Sequence, residues 1–154
     1  MNDVSKLIDR TISSVDFDSD LTTIGKHAFY NCGNLTSVTV PSTVTRIDNY
    51  AFSSCSNLAT VTLPDTLGNI GTYAFSDCTD LDDINIPSAL TAIPEGMFQS
   101  CISLTAITIP DTVTSIGAAA FLNSGLTDVY IPDSVSSIVF NPFQNCASLT
   151  TIEV

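Results

Sequence analysis

A chain of 154 residues, 44% of them hydrophobic, is long and apolar enough to fold as one domain and is not a disordered polypeptide. Sixteen Asp and Glu against four Lys and Arg give a formal net charge of −12. We exclude nucleic acid and anionic membrane surfaces as partners, because both require basic side chains. Apolar runs fall far short of the roughly 20 residues that span a bilayer. Residues 1–10 do not resemble a signal peptide.

The first elements predicted along the chain are a cap and a weak repeat. Val4 and Leu7 have helical spacing after a polar N-cap residue, which predicts a capping helix within residues 1–11. Residues 12–20 have the spacing of a degenerate repeat with one strand, and residues 21–154 have that of six full repeats. We expect all of them to form a single domain.

The six repeats follow one another with a fixed period. One isoleucine recurs at intervals of 23, 23, 23, 23 and 22 residues, and a phenylalanine and a cysteine keep nearly the same step. The isoleucines are Ile24, Ile47, Ile70, Ile93, Ile116 and Ile138. A fixed period of this size predicts a solenoid, in which each small unit stacks on its neighbours.

Each repeat predicts one strand and one turn. In the third repeat, Ile84 and Ile86 alternate with Asp83 and Asn85, which is the pattern of a half-buried strand with the isoleucines inward. Proline follows five of the six strands, where its missing N–H ends the hydrogen-bond ladder. Earlier in the unit, Phe-x-x-Cys-x-x-Leu has a spacing of three, which predicts a single helical turn. The fold class is therefore α/β and β-rich.

Three repeats carry glycine directly after the recurrent isoleucine, at Gly25, Gly71 and Gly117. Glycine adopts positive φ without strain, so we expect a left-handed backbone at this position. The fifth repeat is one residue shorter than the others, and we expect Gly125 to form a tighter bend there.

The sequence offers little that could carry catalysis or bind a metal. Equivalent positions of adjacent coils lie roughly 4.8 Å apart, which exceeds the spacing of about 3.8 Å between the Cβ atoms of a disulfide. The five cysteines also form no close pair for zinc. We expect buried, reduced thiols and no cofactor. The single histidine, His27, is expected at the surface. Acidic residues at Asp77, Asp80 and Asp82–Asp83 indicate either a solvated face or a weak Ca²⁺ site.

The unit Leu-x-x-Ile-x-Ile-Pro-x-x-Leu-x-x-Ile-Gly-x-x-Ala-Phe-x-x-Cys-x-x-Leu resembles the leucine-rich repeat of the BspA-like surface proteins. The resemblance covers residues 21–154, with local departures such as Pro94 and Met97 in the fourth unit. It implies a right-handed leucine-rich-repeat solenoid with a parallel sheet on the concave face and short turns, extended segments and single helical turns opposite. It also implies no common catalytic site, and members at the surface of bacteria and some protists, several of them adhesive.

Outward-facing residues of the predicted sheet are the candidate binding surface, because solenoids bind through extended faces. These candidates are Ser37, Thr39, Thr60, Thr62, Asp83, Asn85, Thr108, Asp128 and Tyr130. One hypothesis is a non-catalytic, adhesion-type module that binds a protein, for which a host extracellular-matrix protein is one expectation. The alternative is a structural spacer whose larger parent protein binds its ligand elsewhere.

Location and assembly follow from the same reasoning. The resemblance implies a cell-surface or extracellular protein, although the sequence itself does not exclude the cytoplasm. Residues 152–154 end on an apolar strand, and an uncovered strand edge invites association. We therefore also expect self-association through the C-terminal coil.

Overall fold

The computed structural model describes residues 9–154, in which six successive coils stack on one another. We number the coils one to six by the recurrent isoleucine that each contains. Short strands of the first ladder lie at this isoleucine: β1 (Thr23–Ile24), β3 (Arg46–Ile47), β5 (Asn69–Ile70), β7 (Ala92–Ile93), β8 (Ser115–Ile116) and β10 (Ser137–Ile138). The second ladder contains β2 (Ser37–Thr39), β4 (Thr60–Thr62), β6 (Asp83–Ile84), β9 (Asp128–Tyr130) and β11 (Thr151–Glu153).

Strands of neighbouring coils pair in parallel at the register of the repeat. Val38 lies opposite Val61, and Val61 opposite Ile84, so identical positions stack along the axis. All three side chains are buried, because alternate residues of a strand point to opposite faces and one face covers the interior. The predicted inward and outward alternation is thereby confirmed for these strands, and the parallel solenoid of about six turns is confirmed with it.

The predicted helical turns are wrong. The described residues contain no helix, and the segment between the two ladder strands is a chain of β-turns. His27 and Asn31 both have positive φ, near 57° and 59°, which interrupts any right-handed helical path. Amide groups in the segment also alternate in direction: Ala28 N–H donates back to Gly25 O, whereas Phe29 N–H donates to Ala51 O of the next coil. Half of the amides are therefore used between coils.

Aromatic and sulfur ladders fill the interior behind these turns. The rings of successive phenylalanines from Phe29 to Phe143 stack with centroids 5.0 to 6.2 Å apart. Each cysteine lies beside this stack, and Cys55 Sγ donates to Phe29 O of the preceding coil at 3.0 Å. Cys78, Cys101 and Cys146 make the same kind of bond, so four of the thiols satisfy a carbonyl in addition to filling volume. All five cysteines are buried and form no disulfide.

The glycines after the recurrent isoleucine serve a different purpose from the one predicted. Gly96 is the only glycine of the described residues with positive φ, so the left-handed backbone expected at Gly25, Gly71 and Gly117 is wrong. A Cβ on Gly25 would meet nothing within 4 Å. A Cβ on Gly71, by contrast, would lie 2.3 Å from Asn49 N of the preceding coil, and one on Gly117 would lie 2.6 Å from Glu95 N. These last two positions are glycine because two backbones approach closely there. At Gly125, similarly, an added Cβ would lie 2.1 Å from Ile102 O, where the shortened fifth coil approaches the fourth.

The described N-terminal region covers the first coil without joining either ladder. The predicted capping helix falls mostly on residues 1–8, which lie outside the described part of the chain, and residues 9–12 form a turn closed by Ile12 N–H and Asp9 O. Val15 and Phe17 pack on the core, and the Phe17 ring meets Phe29 edge-on at 5.8 Å. The strand expected in the degenerate repeat does not form.

Candidate binding face and a gap in its sheet

The predicted binding residues of the first three coils form two continuous rows on the outer face of the second ladder. Ser37, Thr60 and Asp83 are register partners and form one row. Thr39 and Thr62 are partners in the next row. Apart from half-buried Thr60, all of these side chains are exposed, so the structure brings this part of the candidate set together.

The predicted residues of the fifth coil form a second, separate group. Asp128 lies opposite Thr151 and Tyr130 opposite Glu153, in a sheet that contains only β9 and β11. Tyr130 is 56% exposed, the largest fraction of any tyrosine among the described residues. This group therefore places an exposed aromatic ring on the same strand as one carboxylate and directly beside another.

The Asn85 side chain is used within the fold. Its Oδ1 accepts from Leu63 N–H at 2.8 Å, and its Nδ2 donates to Leu63 O at 2.8 Å. The Asn85 side-chain amide thus replaces the main chain of the third coil as the partner of Leu63. As a result, β6 ends one residue earlier in the repeat than β4 does. Asn85 is a structural residue in this position, with its two polar groups already satisfied.

Thr108 lies where the sheet is interrupted. Residues 105–109, the second-ladder segment of the fourth coil, form no strand and pair with neither β6 nor β9. Ile107 is only partly buried, unlike the inward residues Val61 and Val129. A cleft of about 510 Å³ opens between the third and fourth coils, lined by Asp82, Asp83, Ile84, Asn85, Ile86, Ala106, Ile107, Thr108 and Pro110.

The first ladder is interrupted between the same two coils. In other coils the residue after the recurrent isoleucine donates its N–H to the preceding coil, as Gly71 does to Ile47 O and Gly117 to Ile93 O, both at 2.8 Å. The fourth coil has Pro94 at this position, which has no N–H to donate. No pairing joins β5 to β7 in the described chain, and Ile70 is partly exposed as a result.

The turn segments hold the third and fourth coils together across this gap. Phe75 N–H donates to Met97 O at 3.1 Å, and Asp77 N–H to Gln99 O at 2.7 Å, as in the other coils. The rings of Phe75 and Phe98 stack at 6.2 Å, the widest spacing in their ladder. The two strand ladders are therefore unpaired at this junction, while the turn segments bridge it.

Burial keeps the thiols of Cys55, Cys78 and Cys101 protonated. Burial raises the pKa of the Cys55 thiol to about 12 and raises those of Cys78 and Cys101 as well. A thiol is a nucleophile or a metal ligand only as thiolate, so these groups are inert at neutral pH. Within residues 9–154, no three His, Cys, Asp or Glu side chains come close enough to hold a metal ion.

Other surface features bear on function. His27, Tyr50 and Tyr73 stack on one another at 5.2 Å along the turn segments, with His27 partly buried instead of freely exposed. The sixth coil exposes several apolar side chains, with Phe140 at 79%. No helix in the described part of the chain is long and apolar enough to cross a membrane.

Reasoning from the sequence missed the cleft, and it gave Asp82 only as part of an acidic group and not as a residue of the binding face. One signal for the interruption is present in the repeat alignment: Pro94 stands where an N–H is needed to meet the third coil. Asn85 also departs from the threonine of earlier coils. Its side chain bonds Leu63 of the second coil, so that change affects the junction on the other side of β6.

Comparisons with known proteins address the repeat itself. The family model for the BspA type leucine rich repeat region matches residues 22–150 in six copies. A leucine-rich repeat protein from Bacteroides ovatus has a similar structure, with 30% identity over 77% of this chain and a TM-score of 0.75. A leucine rich repeat protein from T. pallidum shares 33% identity over 75% of the chain, with a TM-score of 0.69. A leucine rich cell surface protein from Faecalibacterium prausnitzii shares 33% identity over 94%, with a TM-score of 0.66.

The chain spans 33%, 57% and 46% of the length of these three structures. Each is therefore similar to it over only part of its own length. None of the curated proteins compared with the chain matches it.

Proposed function

Because this chain belongs to the BspA-type leucine-rich repeat family, we propose that it is a non-catalytic module that binds a protein through the outer face of its second ladder. Leucine-rich repeats are in general protein-interaction modules, and a stack of short repeats supplies an extended surface for a partner. The proposal concerns the face that contains Asp83, Asp128 and Tyr130, where the side chains depart from the Ser and Thr of the other coils.

The arrangement around Tyr130 is the observation that supports the proposal most strongly. Its ring is 56% exposed, Glu153 is its register partner, and Asp128 lies two residues before it on the same face. Tyrosine is enriched at binding hot spots because its rigid ring provides a large contact area and its hydroxyl provides a hydrogen bond. A ring flanked by carboxylates suits a partner with an apolar groove beside basic side chains.

Charge supports a basic partner surface. From Ile47 to Val154 the chain contains no Lys or Arg, while Asp and Glu occur in every coil of that region. Opposite potentials steer encounter and increase association rates, whereas an acidic partner would be repelled.

The location that we propose is the cell surface or the extracellular space. The support is the likeness to a leucine rich cell surface protein from Faecalibacterium prausnitzii, together with the family. An extracellular protein, for which a host matrix protein is one candidate, would then be the partner. A structural spacer is the alternative. The Thr-rich rows of the first three coils are compatible with it, because threonine has a high strand propensity that needs no ligand to explain it.

Pull-down against matrix proteins, followed by titration of any captured protein, tests this function. We expect Tyr130→Ala to weaken binding at least about tenfold, which is the size of effect typical of a buried aromatic anchor. Tyr30→Ala is the matched control, since Tyr30 is also exposed but lies on the turn segments. Equal binding by both variants, or capture of no protein, would favour the spacer.

We also propose self-association of residues 1–154 through the sixth coil. Five of its apolar side chains are exposed: Ile138, Val139, Phe140, Ile152 and Val154. Exposed apolar surface favours association. Light scattering should show a mass that rises with concentration, and Phe140→Ser should reduce the rise. Ile102→Ser is the control, because Ile102 is 60% exposed outside this coil. A monomer at all concentrations would contradict the proposal.

A further inference from the structure

The gap between the third and fourth coils exposes backbone groups that would pair in an uninterrupted stack. In the second ladder, Val40 N–H donates to Thr62 O of the next coil at 2.9 Å, and Ile131 N–H donates to Glu153 O at 2.8 Å. Ile86 occupies the same position of the repeat, and its N–H has no such partner within residues 9–154. By the same register, the N–H and C=O of Ile84 point toward the fourth coil without a strand to meet them.

An unpaired strand edge inside a cleft is a template for one more strand. Extended peptides bind such edges by main-chain hydrogen bonds, with alternate side chains supplying specificity. The cleft of about 510 Å³ is within the usual size range of ligand pockets. It also differs from an exposed outer edge, because Ala106, Ile107, Thr108 and Pro110 form its opposite wall.

The lining of the cleft defines the chemistry of the occupant. A strand that pairs with β6 would place every second side chain inward, beside Ile84, Ile86 and partly buried Ile107. Its other side chains would point outward with Asp83, close to Asp82, and both aspartates are exposed. Neither carboxylate has a Lys or Arg partner within the described residues, so a basic side chain would find both free.

We propose that this cleft is a strand-addition site for an extended segment of a protein partner in which apolar and basic residues alternate. The segment pairs through its main chain with the free edge of β6 at Ile84 and Ile86. Its apolar residues cover the partly exposed core, and its basic residues meet Asp82 and Asp83. This proposal rests on the proposed function as a protein-binding module and assigns to it a second site and a class of ligand.

Calorimetric titration of the full chain with synthetic peptides tests the proposal. The probe is a ten-residue peptide of alternating valine and lysine, and we expect it to bind with a dissociation constant below about 1 mM. The same peptide N-methylated at every second residue keeps its charge but loses the N–H groups that face β6. We expect its affinity to fall at least about tenfold. A peptide of alternating valine and glutamate should not bind.

Variants locate the site. Asp82→Asn with Asp83→Asn should weaken binding of the lysine peptide at least about tenfold, because it removes both charges of the cleft. Asp77→Asn with Asp80→Asn is the matched control, since these exposed aspartates belong to the same coil but do not line the cleft. The control pair should retain affinity within about twofold.

Three outcomes would overturn the proposal. They are no binding of the lysine peptide at about 1 mM, equal affinity of its N-methylated form, and equal loss in the two aspartate pairs, which would indicate attraction to net charge alone. If the lysine peptide fails these tests while Tyr130→Ala still weakens capture of a protein partner, the protein-binding function stands and only the cleft site is ruled out.

Discussion

Asn85 shows how one residue alters the backbone of a neighbouring coil. Thr39, Thr62 and Thr108 fill the same position of the repeat in other coils, and a threonine side chain cannot reach both the N–H and the C=O of one residue across the ladder. Asn85 does so with Leu63. A residue predicted to contact a ligand is therefore used to end a strand.

At the same scale, the cysteines were predicted correctly as buried and reduced, but their hydrogen bonds were not predicted. Spacing identifies a residue as inward, because inward positions repeat with the period. It does not reveal that the thiol of Cys78 donates to Phe52 O at 3.2 Å, since this needs the relative position of two coils. Similarly, the sequence identified the glycines as conformationally important. It could not tell whether a glycine is needed for close approach of two backbones or for positive φ, because both require the same residue.

Stability should depend on pH through the buried thiols. In the fold, burial raises the pKa of Cys55 from the ordinary value of 9.0 to about 12. Above pH 9 the unfolded chain loses this proton while the folded chain keeps it, so the free energy of unfolding falls with rising pH until about 12. Each such thiol contributes a slope of about 1.4 kcal/mol per pH unit.

Urea unfolding of wild type and Cys55→Ala under reducing conditions measures this contribution. Between pH 6 and about pH 8 the two proteins should differ by a constant amount, because the thiol stays protonated in both states. From about pH 9 to pH 11 the variant should lose stability less steeply, by about 1.4 kcal/mol per pH unit. Parallel curves over that range would show that Cys55 titrates alike in folded and unfolded chains.

At the scale of elements, the strands were predictable and the turn segments were not. An alternation such as Thr60-Val61-Thr62 predicts both the strand and which of its faces is buried. A spacing of three fits a helical turn, but it fits successive β-turns equally well. Backbone angles such as the positive φ of Tyr50 and Asp77, and the bonds to the next coil, decide between the two.

The interruption of both ladders also depends on how strands pair, and not on single residues alone. The departures Pro94 and Met97 of the fourth repeat leave its inward strand positions Ile107 and Ile109 unchanged. A strand nevertheless needs partners as well as a buried face. Pro94 removes a donor from the first ladder at the junction of the third and fourth coils. The Asn85 side chain replaces the main chain at the neighbouring junction, between the second and third coils. Which junction each residue affects becomes visible only when the coils are stacked.

At the scale of the whole molecule, the stack consists of three coils and three coils joined mainly through turns. The first ladder divides into β1-β3-β5 and β7-β8-β10, and the second into β2-β4-β6 and β9-β11. In a solenoid each repeat contacts only its neighbours, so a weak junction is not compensated by distant contacts. The proposed binding surface accordingly consists of two short faces with a cleft between them.

Native-state hydrogen exchange at Val40, Ile86 and Ile131 tests this central claim most directly. These amides occupy the same position of three coils, and each residue precedes a proline, so their chemical surroundings in the sequence are closely matched. Val40 and Ile131 donate to the next coil, and Ile86 does not. We predict that Ile86 exchanges at least about tenfold faster than both, because its amide is open without unfolding. Protection of Ile86 equal to that of Val40 and Ile131 would mean that the ladder is continuous, and would contradict the gap and the cleft together.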